Sequence, residues 1–217
     1  MTYVKQTNLF VSSLFVLGLT AFAVPALSAP LDIDNDGIPN IAEKLLGTEP
    51  LIADTDGDGQ NDKADAKPTE LSNPIVQTGS PATIRIVSAK VEDNFDPSTK
   101  KDVSDHLEIA ISNDGKADLK GLKMYLTLTD DTNAKMESIY RDLSGFTIAA
   151  GQTTALHFDL EGVADWAAAQ THFRANENSM LYTTPSPKTL QLQIAANGEA
   201  PVSITFKKDA GGAELAD

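Results

Sequence analysis

Between residues 82 and 208 apolar and polar residues alternate in short runs. Ile84 and Ile86 flank Arg85. Leu107, Ile109 and Ile111 alternate with Glu108 and Ala110, and Leu122, Met124, Leu126 and Leu128 with Lys123, Tyr125 and Thr127. Leu156, Phe158 and Leu160 alternate with His157 and Asp159, Leu190, Leu192 and Ile194 with Gln191 and Gln193, and Val202, Ile204 and Phe206 with Ser203 and Thr205. Successive side chains of a strand point to opposite faces, so a period of two puts one face in a core and leaves the other in water, as in antiparallel sheets. Asn113-Asp114-Gly115, Gly151 and Asn197-Gly198 separate the runs with turn-forming residues. About seven such strands predict a mainly β fold, an antiparallel β-sandwich. One insertion breaks the rhythm. Residues 163–172 read as a short helix pinned to a sheet by Trp166, and residues 174–188 as a long loop.

The chain before residue 82 follows other patterns. Lys5, an apolar run over 9–24 and small residues over 21–29 predict a secretory signal peptide at 1–29. Ser12, Ser13, Gly18 and Thr20 dilute the run, and no basic residue follows Val24 until Lys44, so no transmembrane helix is expected in the mature chain. Residues 31–66 are acidic and punctuated by glycine. Residues 67–81 carry Pro68, Pro74, Gly79 and Pro81 and read as a linker to the β-sandwich domain at 82–208. Residues 209–217 read as a flexible tail.

The formal net charge of −14 opposes binding to nucleic acid, whose phosphates require Lys and Arg, and to an anionic membrane surface. The chain has no cysteine, which excludes disulfides and thiolate metal sites. With an export signal, these features predict a secreted or periplasmic protein.

The acids of the N-terminal segment are not scattered. Calcium takes six to eight oxygens, and a twelve-residue loop supplies them from positions 1, 3, 5, 7, 9 and 12, with glycine at 6 for the sharp turn. Residues 32–43 fit throughout. Asp32, Asp34 and Asp36 supply carboxylates, Gly37 the turn, Ile38 a carbonyl, Asn40 a direct or water-mediated contact and Glu43 a bidentate carboxylate. Residues 54–65 repeat the pattern with Asp54, Asp56, Asp58, Gly59, Gln60, Asp62 and Asp65. Asp65 is shorter than Glu at position 12, so the second loop is expected to bind more weakly. Two loops in register, 22 residues apart, carry far more weight than one.

The run Asp54-Thr55-Asp56-Gly57-Asp58-Gly59, with Asp62 and Asp65 and the preceding Gly47-Thr48-Glu49-Pro50, resembles a thrombospondin type 3 repeat. The resemblance covers residues 32–68. It implies aspartates wrapped around Ca²⁺ and almost no hydrophobic core. The cysteines of the animal repeats are absent. The first loop ends in Glu43 and runs into Lys44-Leu45-Leu46, closer to an EF-hand loop with its exit helix, but residues 29–31 are too short for an entering helix. The β-segment resembles the immunoglobulin-like modules of bacterial surface and secreted proteins, through residues 107–111, Asn113 with Gly115, 122–128, and 148–151 before 156–158.

No His-Glu-x-x-His, Gly-x-Ser-x-Gly or phosphate-cradling glycine loop occurs. His106, His157 and His172 are far apart in sequence, and His157 reads as a plain residue on the wet face of a strand. A metal-dependent hydrolase needs a convergent cluster of acids or histidines outside 32–65, which the linear sequence does not display. The expected function is therefore non-enzymatic. Calcium orders an N-terminal arm, and the β-sandwich serves structure or binds a partner such as a surface protein or polysaccharide. The alternative is a carbohydrate-binding or accessory module of a secreted hydrolase system, with Tyr125, Tyr140 and Tyr182 as a platform.

Overall fold

A computed structural model describes residues 1, 30–92, 95–96, 101–102, 106–160 and 171–210. Residues 2–29 of the expected signal peptide, residues 163–170 of the expected helix and the end of the tail lie outside them; His172, expected to end that helix, lies in a strand instead. The elements are α1 (Asn40–Leu46), β1 (Ile84–Glu92), β2 (Phe95–Asp96), β3 (Lys101–Asp102), β4 (His106–Asn113), β5 (Leu119–Asp130), β6 (Met136–Ile148), β7 (Thr153–Asp159), β8 (His172–Arg174), α2 (Met180–Thr183), β9 (Lys188–Ala195) and β10 (Val202–Lys208).

Two four-stranded sheets carry the fold, one ordered β1-β4-β7-β8 and the other β10-β9-β5-β6, with β2 and β3 as a separate hairpin. Each run of alternation became a strand and turned its apolar set inward. Leu107, Ile109, Ile111, Leu156 and Phe158 from the first sheet meet Leu122, Met124, Leu190, Leu192 and Ile194 from the second in one buried cluster. This is the expected mainly β sandwich. All named pairings within the two sheets are antiparallel except β7–β8, which is parallel. The turn signals sit where expected. Asn113 anchors the β4–β5 turn by donating from Nδ2 to the carbonyls of Ala117 and Ile148 and accepting from the Gly115 N–H.

Three features differ from the sequence reading. β6 carries no clean alternation, yet it is the longest strand among the described residues and forms an edge of the second sheet. Residues 174–188, expected as loop, begin with the end of β8 and contain the short helix α2. The segment 67–81 is not a free linker but a strap laid over the second sheet. The Ser138 N–H donates to the Thr69 carbonyl at 2.8 Å, the Leu71 N–H to Ser138 Oγ at 2.7 Å and the Tyr125 hydroxyl to the Leu71 carbonyl at 2.9 Å. Further along, Asn73 and Gln77 bond Gln193, Ile75 is buried, and Ser80 forms a bridge to Glu199. The strap thus starts at the β6 edge and crosses toward the β9–β10 turn. An exposed edge of unpaired N–H and C=O groups invites pairing with other chains, and the arm covers this one.

The acidic, Gly-punctuated segment at 31–66 joins the same surface. The Tyr140 N–H donates to the Asp56 carbonyl at 2.7 Å, and Arg141 Nη2 to the Thr55 carbonyl at 3.2 Å. Gly57 (φ +84°) lies against β6 so closely that a Cβ would collide with the Tyr140 carbonyl. Gly57→Ala is therefore expected to destabilise the protein by about 1–3 kcal/mol, from a left-handed backbone and a backbone clash together. Gly59→Ala, at φ +94° with open space around it, meets the backbone term alone and costs about 1–2 kcal/mol. Urea unfolding of both variants checks the order; equal losses would mean that loop and strand do not press on each other.

Candidate metal centre

Each loop is built by the same internal hydrogen bonds. In the first, the N–H of Gly37 donates to Asp32 Oδ2 at 3.1 Å, that of Asp36 to Asp34 Oδ1 at 3.1 Å, and that of Ile38 to Asp36 Oδ1. In the second, the N–H of Gly59 donates to Asp54 Oδ2 at 2.9 Å, that of Asp58 to Asp56 Oδ1 at 3.0 Å, and that of Gln60 to Asp58 Oδ1 at 2.7 Å. The sixth-position glycines have the same φ of +94°, and the fourth positions, Asn35 and Gly57, are also left-handed. Sequence register is thus matched by backbone register. The short side chains of Asp bend back to the loop amides, as Asx turns do.

That arrangement uses one oxygen of several carboxylates and turns the other inward. Asp32 Oδ1, Asp34 Oδ2, Asp36 Oδ2 and Asp56 Oδ2 are buried without a hydrogen-bond partner, and so are both oxygens of Glu43. Glu43 has no exposed surface at all. The helix α1 positions it. Asn40 opens the helix and accepts the Ile33 N–H at 3.1 Å, stapling the loop entry, and Gly47 ends it in a left-handed cap bonded to the Glu43 carbonyl.

Three acidic groupings bring ligand oxygens within 4.8 Å of one another: Asp32, Asp34 and Asp36; Asp36, Glu43 and Asp62; and Asp54, Asp56 and Asp58. The middle one revises the expected assignment. Asp62, the ninth residue of the second loop, faces the first loop and does not group with Asp54, Asp56 and Asp58. It accepts from the Thr55 N–H at 2.8 Å and Thr55 Oγ1 at 2.7 Å while standing beside Asp36 and Glu43. Asn61 and Lys63 complete the seam by donating to the carbonyls of Asp36 and Gly37. Asp65 accepts the Lys67 N–H at 2.9 Å and joins none of the three groupings. Gln60 donates its amide to Asp58 Oδ2, and Ile38 is buried at the seventh position of its loop.

Crowded carboxylates in a poorly hydrated place resist ionisation. Burial first, and then the charges of Asp34, Asp36, Asp62 and Glu49, push the Glu43 carboxyl up to about 7. Burial likewise pushes Asp56 up to about 6, with Asp58, Asp65 and Asp54 adding to it. Asp34 and Asp62 are also raised, by burial above all. The donor set is all oxygen, with no imidazole or thiolate, and suits a hard divalent cation.

Residues 47–49 fasten this centre to the β-sandwich. Glu49, fully buried, accepts from Arg174 Nε at 2.6 Å and from the Glu177 N–H at 2.7 Å. Asn176 donates to the Gly47 carbonyl and Asn178 to the Thr48 carbonyl, both at 2.7 Å. None of this was visible in the sequence, where Gly47-Thr48-Glu49-Pro50 read only as an introduction to a repeat.

The three tyrosines of the alternative reading are split between two places. Tyr125 and Tyr140 are cross-strand partners beneath the arm, while Tyr182 packs against the core. The histidines, in contrast, do converge. His106, Glu108 and His157 offer ligand atoms within 4.8 Å of one another on the first sheet, so His157 is not an isolated surface residue.

No protein-family model matches the chain, and no curated protein does. Among solved structures, the chain is similar to a structural-genomics target at 16% identity (TM-score 0.35, 63% of this chain and 94% of that one). It is similar to the protein described as ApaA from Bordetella pertussis at 14% (TM-score 0.34, 61% and 98%), and to a β-glucuronidase of Bacteroides uniformis at 11% (TM-score 0.30, 59% and 13%). Likenesses this distant carry no argument about activity.

Proposed function

We propose that this chain is an exported, non-enzymatic calcium-binding protein whose two loops hold Ca²⁺ and lock an N-terminal arm onto a β-sandwich. One observation carries the reading: Glu43, without exposed surface, has both carboxylate oxygens unpartnered beside Asp36 and Asp62. A buried carboxylate without donors is expensive to keep, and three together are more so. A divalent cation bound by these oxygens reverses the sign of the interaction. The twelve-residue frame, the glycine at position 6 and the bidentate Glu at position 12 fit Ca²⁺ better than Mg²⁺, which demands a tight octahedron and sheds water reluctantly.

Asp32, Asp34, Asp36 and Glu43, joined by Asp62, hold the first ion, and Asp54, Asp56 and Asp58 the second. Asp62, reaching from one loop to the other's centre, makes the two ions interdependent. The predicted signal peptide accords with delivery to a compartment where calcium is abundant. The sandwich then presents the ordered arm to a partner such as a surface protein or polysaccharide.

Calorimetry on the mature protein tests this. Two calcium ions per chain are expected, with magnesium a poor competitor. No calcium heat at millimolar concentration would overturn the proposal.

A further inference from the structure

The three histidines of the chain occupy the outer face of the first sheet. In the register, Lys90, Glu108, His157 and His172 form one cross-strand row over β1, β4, β7 and β8, and His106 and Asp159 stand opposite each other one row on. The rings of His157 and His172 stack with centroids 4.8 Å apart and planes 14° apart, and the His106 ring lies 5.7 Å from that of His157. His172 Nδ1 is 2.8 Å from Asp159 Oδ2, and His157 Nδ1 is 3.9 Å from Glu108 Oε2. The side chains of His157 and Glu108 are each 24% exposed, so an ion can reach them from solvent without disturbing the core.

We infer that His106, Glu108 and His157 form a further metal site, separate from the arm, for a divalent transition ion of the zinc type. Two imidazoles and a carboxylate are donors that zinc accepts and calcium does not favour. Zinc–ligand bonds of about 2.0–2.2 Å in a tetrahedron need donors roughly 3.3–3.5 Å apart. Ligand atoms already within 4.8 Å reach that spacing by side-chain rotation, because β4 and β7 are fixed as hydrogen-bonded neighbours.

His172 is the candidate fourth ligand. Asp159 fixes one of its ring nitrogens and so leaves the other for an ion, the arrangement in which carboxylates orient metal-binding histidines. Lys90 Nζ lies 3.7 Å from Glu108 Oε1, and it must yield its hold on Glu108 when a metal arrives.

The test is zinc titration of the whole mature protein in saturating calcium, which keeps the arm's carboxylates occupied. One zinc per chain with a micromolar or tighter dissociation constant is expected, weakened at least tenfold in His157→Ala and in the milder His157→Gln. Ring-nitrogen NMR of the wild type on zinc addition supplies a readout that needs no variant, with the signals of His106 and His157 moving first. Zinc affinity unchanged by either substitution, a dissociation constant near millimolar, or histidine signals that stay still while zinc binds elsewhere each overturn the inference. Because the arm's calcium is monitored separately, failure here leaves the calcium reading standing, and the reverse.

Discussion

Replacing Glu43 by glutamine is expected to stabilise the calcium-free protein and to destabilise the calcium-loaded one. In chelator, Glu43 is a buried carboxyl with no donor, surrounded by Asp34, Asp36 and Asp62, and its pKa stands near 7 instead of 4.5. Between those two values the folded chain holds a proton that the unfolded chain has released. Stability of the metal-free protein therefore falls as pH rises through this window, and the full loss is in place above pH 7. Its size is on the order of 2 kcal/mol after allowance for solvent screening within the loop. A glutamine side chain carries no charge and offers an N–H₂ to neighbouring carboxylates, so the variant escapes this loss. In calcium the sign reverses. A ligand present at a hundred times its dissociation constant stabilises a fold by about 2.7 kcal/mol, and the variant forfeits that contribution at the first centre. Urea unfolding at pH 8 with chelator should show the variant ahead, and with calcium behind, while at pH 4.5 in chelator the two should nearly coincide. A variant less stable under all three conditions would mean that Glu43 serves packing and not a cation.

The loops were legible in the sequence because their chemistry is local. Position, spacing and residue type within twelve residues settle which side chain bends to which amide, and the structure shows the same bonds twice in the same register. The strands were legible for a similar reason, since alternation at Leu107–Ile111 or Leu190–Ile194 is a property of neighbours. What stayed hidden depends on partners far away in the chain. β6 lacks alternation because Glu137 and Arg141 stand on the inward face beside Ile139 and Leu143, where Glu137 accepts from Ser179 Oγ and the Met180 N–H and Arg141 donates to the Thr55 carbonyl, partners at least forty residues away in the chain. The strap at 67–81 looked like a linker because proline and glycine also suit a chain laid flat over a sheet. Asp62 fits the second loop by number, yet Thr55 turns it toward the first. The histidine cluster exists only because β7 pairs with β4 on one side and with β8 on the other. No spacing rule within one strand could have joined His106, His157 and His172.

Removing the cation from the arm's main anchor is expected to have the largest effect on how arm and sandwich hold together. Glu49 has no exposed surface, and burial raises its pKa even against the opposing pull of Arg174 and the Glu177 N–H. Arg174→Met leaves that carboxylate with a single backbone donor. Breaking one side of a buried ion pair costs about 3–5 kcal/mol, and undocking of the arm sets a ceiling on what is observed. The defect has a defined pH dependence. Glu49 loses its compensating charge, so its pKa climbs further, and protonation at low pH relieves the strain; the loss should be larger at pH 8 than at pH 5. It should also reach the proposed calcium centre. The Glu49 N–H donates to Thr55 Oγ1, which donates to Asp62, which stands beside Glu43. Calcium affinity at the first centre is therefore expected to weaken in Arg174→Met although Arg174 touches no ligand. The double variant Arg174→Met with Glu49→Gln should recover a substantial part of the stability, because the uncompensated charge has gone. Denaturant unfolding of both single variants and the pair, with calcium titrations alongside, completes the cycle. Arg174→Met within about 0.5 kcal/mol of wild type, the range of an ordinary surface change, would show that residues 47–49 rest on the sandwich without being held by it.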